Sequence, residues 1–380
     1  MGIKSGSYGA DGSDGRWVAE RVRPVTATSV ATRWANAVAT NVRAKVVDGG
    51  VADLRPMPRT LIDKGPLRSV YRFAAHGRPL TGEPVLLVPP LAAPALCFDL
   101  RRGCSVAEHL LDSGRRLYLV DYGGVSFADR ALGLEHWIDE VLPRSIRAAS
   151  HDAGGAPVHL VSWCLGGILS LLTAADRKDL PIASITSIAA PIDMTAVPLL
   201  APVKPLADLT RGWILTPVYR VLGGAPRRLV RQAFQLSAID KVLTKPYAIL
   251  THLDDADFLA QIEAVDRFTD NMIAYPGRTF GQLYHRFFRS NDLAGGELDL
   301  GGRRISLSEV RVPVLVVAGE GDGIAPRRAV GHLVEVLENA PEVRFETAPG
   351  GHLGVLTGRG ARHTTWRYLD DFLATHNPLP

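Results

Sequence analysis

The chain has 380 residues, 46% hydrophobic and 22% charged, with a net charge of +4 and an isoelectric point near 9.0. This composition excludes a disordered chain and suits one large core or a core plus a cap. Lys and Arg are interspersed with Asp and Glu, with no basic stripe carrying aromatics, so nucleic acid is not an expected partner; the mild positive charge suits an anionic substrate.

In chain order, residues up to about Gly15 read as a flexible tail, and Trp17 to Val46 as loosely helical, interrupted by Pro24. The tail is rich in Gly and Ser and lacks the apolar run of a secretory signal. No apolar stretch is long enough to span a bilayer, so a cytoplasmic location without a transmembrane segment is expected. Strands are predicted at Ser69–Phe73, Pro84–Val88, Leu117–Asp121, Val158–Val161, Ile185–Ala189, Val314–Val317 and Val343–Glu346. Helices fit between them at Val106–Asp112, Leu134–Ser150 and Gly167–Ala175, the alternation of a mostly parallel sheet flanked by helices. The rhythm breaks between about Thr195 and Val310, where Pro198, Pro202, Pro205, Pro217 and Pro226 separate amphipathic segments such as Leu229–Leu236 and Phe258–Phe268. A mainly helical insertion explains the gap, because core strands resume after it. The expected units are an N-terminal tail and helical segment (1–60), a core in two parts (61–194 and 311–380), and a cap (195–310).

The most informative stretch is Ser162-Trp163-Cys164-Leu165-Gly166-Gly167, between the β-prone run Pro157–Val161 and the helix-like run Ile168–Leu172. A strand, a sharp turn with a nucleophile at its apex, and a helix make the nucleophile elbow of an α/β-hydrolase, with Cys164 in place of the usual serine. In this fold the acid and the histidine follow the nucleophile in the chain. Asp322 lies in a glycine-rich loop after Val314–Val317, with Glu320 as fallback, and His352 lies in the loop after Val343–Glu346. Such a set would activate the thiol through a base held by a carboxylate. The backbone N–H of Leu165 is the expected first oxyanion donor. Pro89 and Pro90 have no N–H, so the second falls to Leu91, Ala92 or Ala93, with Ala92 favoured.

His109, His136, His159, His252, His285 and His332 read as structural or solvated, with His285 a candidate for lining a tunnel on the cap side. Trp163 reads as packing. Cys97 and Cys104 form no CxxC pair or metal-ligand spacing with Cys164 and read as buried or incidental thiols. No metal and no cofactor is expected. A cysteine nucleophile favours acyl-CoA or carrier-bound thioesters, since exchange of one thioester for another keeps the acyl group activated.

The elbow and several further segments resemble the polyhydroxyalkanoate synthases, especially the class III catalytic subunit. Ser162–Gly167 is similar to that family's G-x-C-x-G-G box except at its first position. Phe98–Ser105, Leu117–Gly123, Ala189–Asp193 and the stretch Tyr284–Leu307 are similar to four further family segments. The resemblance covers about residues 65 to 375 and places Asp322 and His352 on the family's triad aspartate and histidine. It implies that Cys164 takes a 3-hydroxyacyl group from CoA, with His352 deprotonating the thiol or an incoming hydroxyl, Asp322 orienting or assisting that histidine, and repeated hydroxyl attack building a polyester. It also implies a homodimer or a second synthase-type subunit as partner. The sequence departs from the family pattern at Ser162, at Gly323 after the aspartate, and at Ala93-Pro94, where an Asn-Arg or Asn-Lys pair is usual. Three readings stand on these residues: an acyltransferase, polymerising or not; a thioesterase or esterase of the same fold; and a non-catalytic granule- or partner-binding relative.

Overall fold

The computed structural model describes residues 27–75, 80–198, 223–236 and 239–377. The expected tail, Pro24 and the cap prolines Pro202, Pro205 and Pro217 lie outside these residues. Twelve strands are present among the described residues: β1 (Arg59–Gly65), β2 (Arg68–Phe73), β3 (Thr81–Val88), β4 (Arg115–Asp121), β5 (Val158–Trp163), β6 (Ile182–Ile188), β7 (Gly224–Ala225), β8 (Tyr275–Pro276), β9 (Glu297–Leu300), β10 (Arg303–Ser306), β11 (Val314–Gly319) and β12 (Val343–Ala348). Eight of them form one sheet in the order β1-β2-β4-β3-β5-β6-β11-β12. The pairs β1/β2 and β2/β4 are antiparallel, and every later pair is parallel. All six residues of β5 and all six of β11 are buried, as expected of central strands covered on both faces.

Helices α1 (Ala27–Val46), α2 (Val106–Asp112), α3 (Leu142–Asp152) and α4 (Leu165–Asp176) accompany the first half of the sheet. Helix α2 has the predicted bounds, set by Ser105, whose hydroxyl accepts the Glu108 N–H at 3.0 Å. Asp99 takes the Met57 N–H at 2.6 Å and the Ser105 hydroxyl at 2.7 Å, so the Phe98–Ser105 segment is a structural knot beneath the loop after β3. The predicted helix over 134–150 divides into a π-helical turn at His136–Val141 and α3. Strand β1 was not anticipated: it straddles the expected 60/61 boundary and is mostly exposed, so it lacks a buried apolar run.

The insertion is mainly helical, with Arg227–Leu236, Ile239–Thr251, Ala256–Asp270 and Gly277–Gln282 continuing into a π-helical turn at Leu283–Arg289. It also contains the two-residue ladder β7/β8 and the hairpin β9/β10, which helical patterning did not indicate. Side-chain contacts fasten it to the core at several points. The buried Arg101 side chain reaches Asp257 at 2.7 Å and Gln261 at 3.0 Å. Asn291, held at φ 55°, accepts the Met194 N–H at 2.7 Å and donates to Asp193 at 2.9 Å. Arg303 pairs with Asp139 and, at 3.0 Å, with Asp176. Among the described residues no helix is long and apolar enough to cross a membrane.

Candidate active site

Cys164 sits between β5 and α4 at φ 54° and ψ −128°, a strained conformation for a residue with a side chain. The turn is tight because two glycines follow. A Cβ at Gly166 would lie 2.5 Å from the Val88 carbonyl oxygen and 2.7 Å from that of Pro89. One at Gly167 would lie 2.5 Å from the Ser187 hydroxyl. Ser162, where the family pattern has glycine, is accommodated: its buried hydroxyl donates to the Thr186 carbonyl at 2.8 Å.

Asp322 and His352 meet beside this elbow. One Asp322 carboxylate oxygen accepts the Ile324 and Ala325 N–H groups, each at 2.8 Å, and the other lies 2.8 Å from His352 Nδ1. Both side chains are buried. The carboxylate therefore holds Nδ1–H, which leaves Nε2 as the nitrogen available to Cys164. Burial works to raise the Asp322 pKa, but the His352 charge and the three hydrogen bonds hold it below the ordinary carboxylate value. Burial lowers the His352 pKa, but the charges and hydrogen bonds of Cys164 and Asp322 outweigh it and push the imidazole up to about 10. Glu320, the fallback acid, is exposed and contributes its backbone N–H to the Ala348 carbonyl.

Trp163 does more than fill space. Its indole N–H donates to the His352 carbonyl at 3.0 Å and its ring lies 5.0 Å from the imidazole, which anchors the histidine loop to the elbow. As the first residue of α4, Leu165 has no intrahelical acceptor for its N–H. Ala92 is at φ 63°, and its carbonyl accepts the Ile273 N–H at 2.8 Å, so this loop is pinned to the cap. Ala92 shares a cavity wall with Cys164 and His352.

Two apolar cavities meet at Cys164. One, of about 370 Å³, is lined by Ala92, His352, Trp163, Val230, Phe234 and others. The second, of about 380 Å³, lies on the other side and is lined by Leu165, Ile168, Met194, Leu283 and Phe287 among others. Cys164, Tyr275 and Phe280 line both. The two aromatics escaped the sequence reading, because isolated aromatics in a helical insertion carry the same pattern as core packing. His285 reads from the sequence as structural or solvated, with a tunnel on the cap side as the one candidate role. It lines instead a separate polar cavity of about 440 Å³ with Arg130, Arg278 and Arg286, on the outward face of the turn whose inward residues touch the second cavity.

The other candidates have structural partners. His109 lies 2.9 Å from Asp370, His159 is buried 2.7 Å from the Ser184 hydroxyl, and His332 lies 2.8 Å from the Ala294 carbonyl. Cys97 and Cys104 are buried free thiols; burial pushes both pKa values up.

A strained nucleophile between strand and helix, followed in the chain by an aspartate and a histidine after β11 and β12, defines a class. Residues 83–359 match the model of the alpha/beta hydrolase fold, and the chain belongs to that family. Within it, the chain is similar to the poly(3-hydroxyalkanoate) polymerase subunit PhaC of Allochromatium vinosum, at 24% identity over 335 residues, 85% of this chain and 89% of that one. The subunit of the same name from Thiocystis violacea is also 24% identical, over 85% of this chain and 89% of its own length. Among solved structures, a monoacylglycerol lipase from Paleococcus ferrophilus aligns over 81% of this chain and 99% of its own, at 17% identity and a TM-score of 0.48.

Proposed function

We propose that the chain is a polyhydroxyalkanoate synthase-like acyltransferase that takes an acyl group, 3-hydroxyacyl among them, from a CoA thioester onto Cys164 and passes it to a hydroxyl acceptor. The carrying observation is a strained cysteine at the elbow, beside a buried His352–Asp322 pair, at the meeting point of two apolar cavities under a cap. Similarity to polymerase subunits over most of both chains supports the same reading.

The charges suggest how the two half-reactions follow one another. In the resting pair the Cys164 thiolate attacks the thioester carbonyl, and the Leu165 and Ala92 N–H groups receive the developing oxyanion. Collapse breaks the carbon–sulfur bond to CoA, and the imidazolium of His352 gives its proton to the departing thiolate. Acylation removes the Cys164 charge, one of the influences that raise the His352 pKa. The imidazole is then left neutral, ready to take the proton of an incoming hydroxyl as it attacks the acyl-cysteine. Collapse of that adduct restores thiolate and imidazolium, so protons balance over the cycle. Asp322 holds the imidazole in one tautomer through both steps.

Intact-protein mass spectrometry after incubation with 3-hydroxybutyryl-CoA tests this, with Cys164→Ala as control. A Cys164-dependent adduct supports the reading: growth by repeating units marks a polymerase, and a single unit discharged by added alcohol marks a simple transferase. CoA release without an adduct points to a thioesterase. An unchanged mass with no CoA release from either protein removes the proposal.

A further inference from the structure

The two cavities flanking Cys164 are chemically unequal. Only the first contains His352, and the second is walled by Leu165, Ile168, Met194 and aromatic residues of the cap. On the acyltransferase reading given above, one imidazole nitrogen protonates the departing thiol and later deprotonates the acceptor. Leaving group and acceptor must therefore occupy the His352 side in turn. The acyl chain, which stays through both half-reactions, is left with the Leu165 side.

Tyr275 stands where the two spaces join, on the ladder β7/β8. Its ring contacts Phe280, and among the described residues its hydroxyl has no hydrogen-bond partner. Burial, and to a lesser degree the Cys164 charge, push its pKa up, so the phenol stays protonated and remains a donor. The acyl carbonyl oxygen has backbone donors of its own at Leu165 and Ala92. The phenol is therefore free for the next polar atom of the acyl group, in walls that are otherwise almost wholly apolar.

We propose that Tyr275 is a specificity-determining residue: its hydroxyl donates a hydrogen bond to an oxygen substituent close to the carbonyl of the acyl group on Cys164, whose chain lies in the Leu165-side cavity. An acyl group without that oxygen leaves a donor unpaired between apolar walls, worth about tenfold or more in rate.

The test compares the rate of Cys164 acylation by 3-hydroxybutyryl and butyryl thioesters of N-acetylcysteamine, in wild type and Tyr275→Phe, by rapid quench and intact mass. The wild type should favour the hydroxyacyl thioester by about tenfold or more, and Tyr275→Phe should bring the ratio close to one. Both rates come from one preparation, so the ratio does not depend on how much of the variant folds. In parallel, Leu283→Trp in the Leu165-side wall should shorten the longest unsubstituted acyl chain accepted, and Val230→Trp in the His352-side wall should not. A ratio that Tyr275→Phe leaves unchanged, or a wild type with no preference, overturns the role of Tyr275. The reverse pattern of chain lengths overturns the assignment of sides. Absence of any Cys164 acylation overturns the acyltransferase reading and this inference with it.

Discussion

Replacing Cys164 by alanine should change the titration of a residue it leaves in place. In the intact site His352 is raised from 6.5 to about 10 although burial alone would lower it. At about 1.4 kcal/mol per pH unit, that rise corresponds to on the order of 5 kcal/mol of net preference for the imidazolium. Two partners supply it, the Asp322 carboxylate at 2.8 Å and the charge on Cys164. An opposite charge at contact range is typically worth about 1–3 pH units. His352 in Cys164→Ala should therefore titrate about 1–3 units below the wild type. Protein carrying 13C at histidine Cε1, titrated by NMR from about pH 5 to 11, gives both values directly, with His352→Gln assigning the resonance. Stable acylation of Cys164 should reproduce the fall without any mutation. Equal midpoints in wild type and Cys164→Ala, or a wild-type midpoint near the free-histidine value, would refute the charge-coupled cycle.

The surrounding architecture yields four more expectations. Asp322→Asn puts an amide where three N–H donors converge, so turnover should fall by on the order of 10²–10⁴-fold in a steady-state assay of CoA release. Asp322 is depressed in the folded state, so its stabilisation is present above 3.8 and lost as pH falls through its folded pKa; acid unfolding of Asp322→Asn should be flatter there than that of the wild type. Gly166→Ala drives a Cβ into two backbone carbonyls that cannot step aside, and urea unfolding should show a loss of about 1–3 kcal/mol. Asn291→Ala removes both of its bonds to the 193–194 turn and places alanine in the left-handed region; a loss of about 2–4 kcal/mol in the same experiment is expected, and full retention would show that this clamp is dispensable.

Much of this arrangement was legible in the sequence because its signals are local. Strand β11 is a continuous apolar run and β5 a mostly apolar one, the elbow needs small residues at 166 and 167, and α2 starts at a serine cap. Asp322 and His352 could be found because the fold fixes their chain order. The parts that escaped depend on tertiary context. Strand β1 is an exposed edge with no apolar repeat, and the β9/β10 hairpin is four residues a side. Tyr275 and Phe280 become wall residues only when the cap folds over the core. His285 points away from the thiol because it lies on the opposite side of its helical turn from Tyr284 and Phe287, a matter of phase that residue type alone does not disclose.

The cap divides into a part wired to the chemistry and a part that is not obliged to be. On the helix Ala256–Asp270, Asp257 and Gln261 bind Arg101, and Gln261 also donates to the Thr357 carbonyl at 3.1 Å, five residues past His352. Displacing that helix would disturb the base itself. By contrast, Leu229, Tyr247 and Leu250, on the two helices before it, are more than half exposed. An engineer seeking new acyl groups or acceptors should therefore exchange residues 227–251 as a cassette and keep 256–270 as the hinge post. A chimera built the other way round would lose its base along with its old specificity.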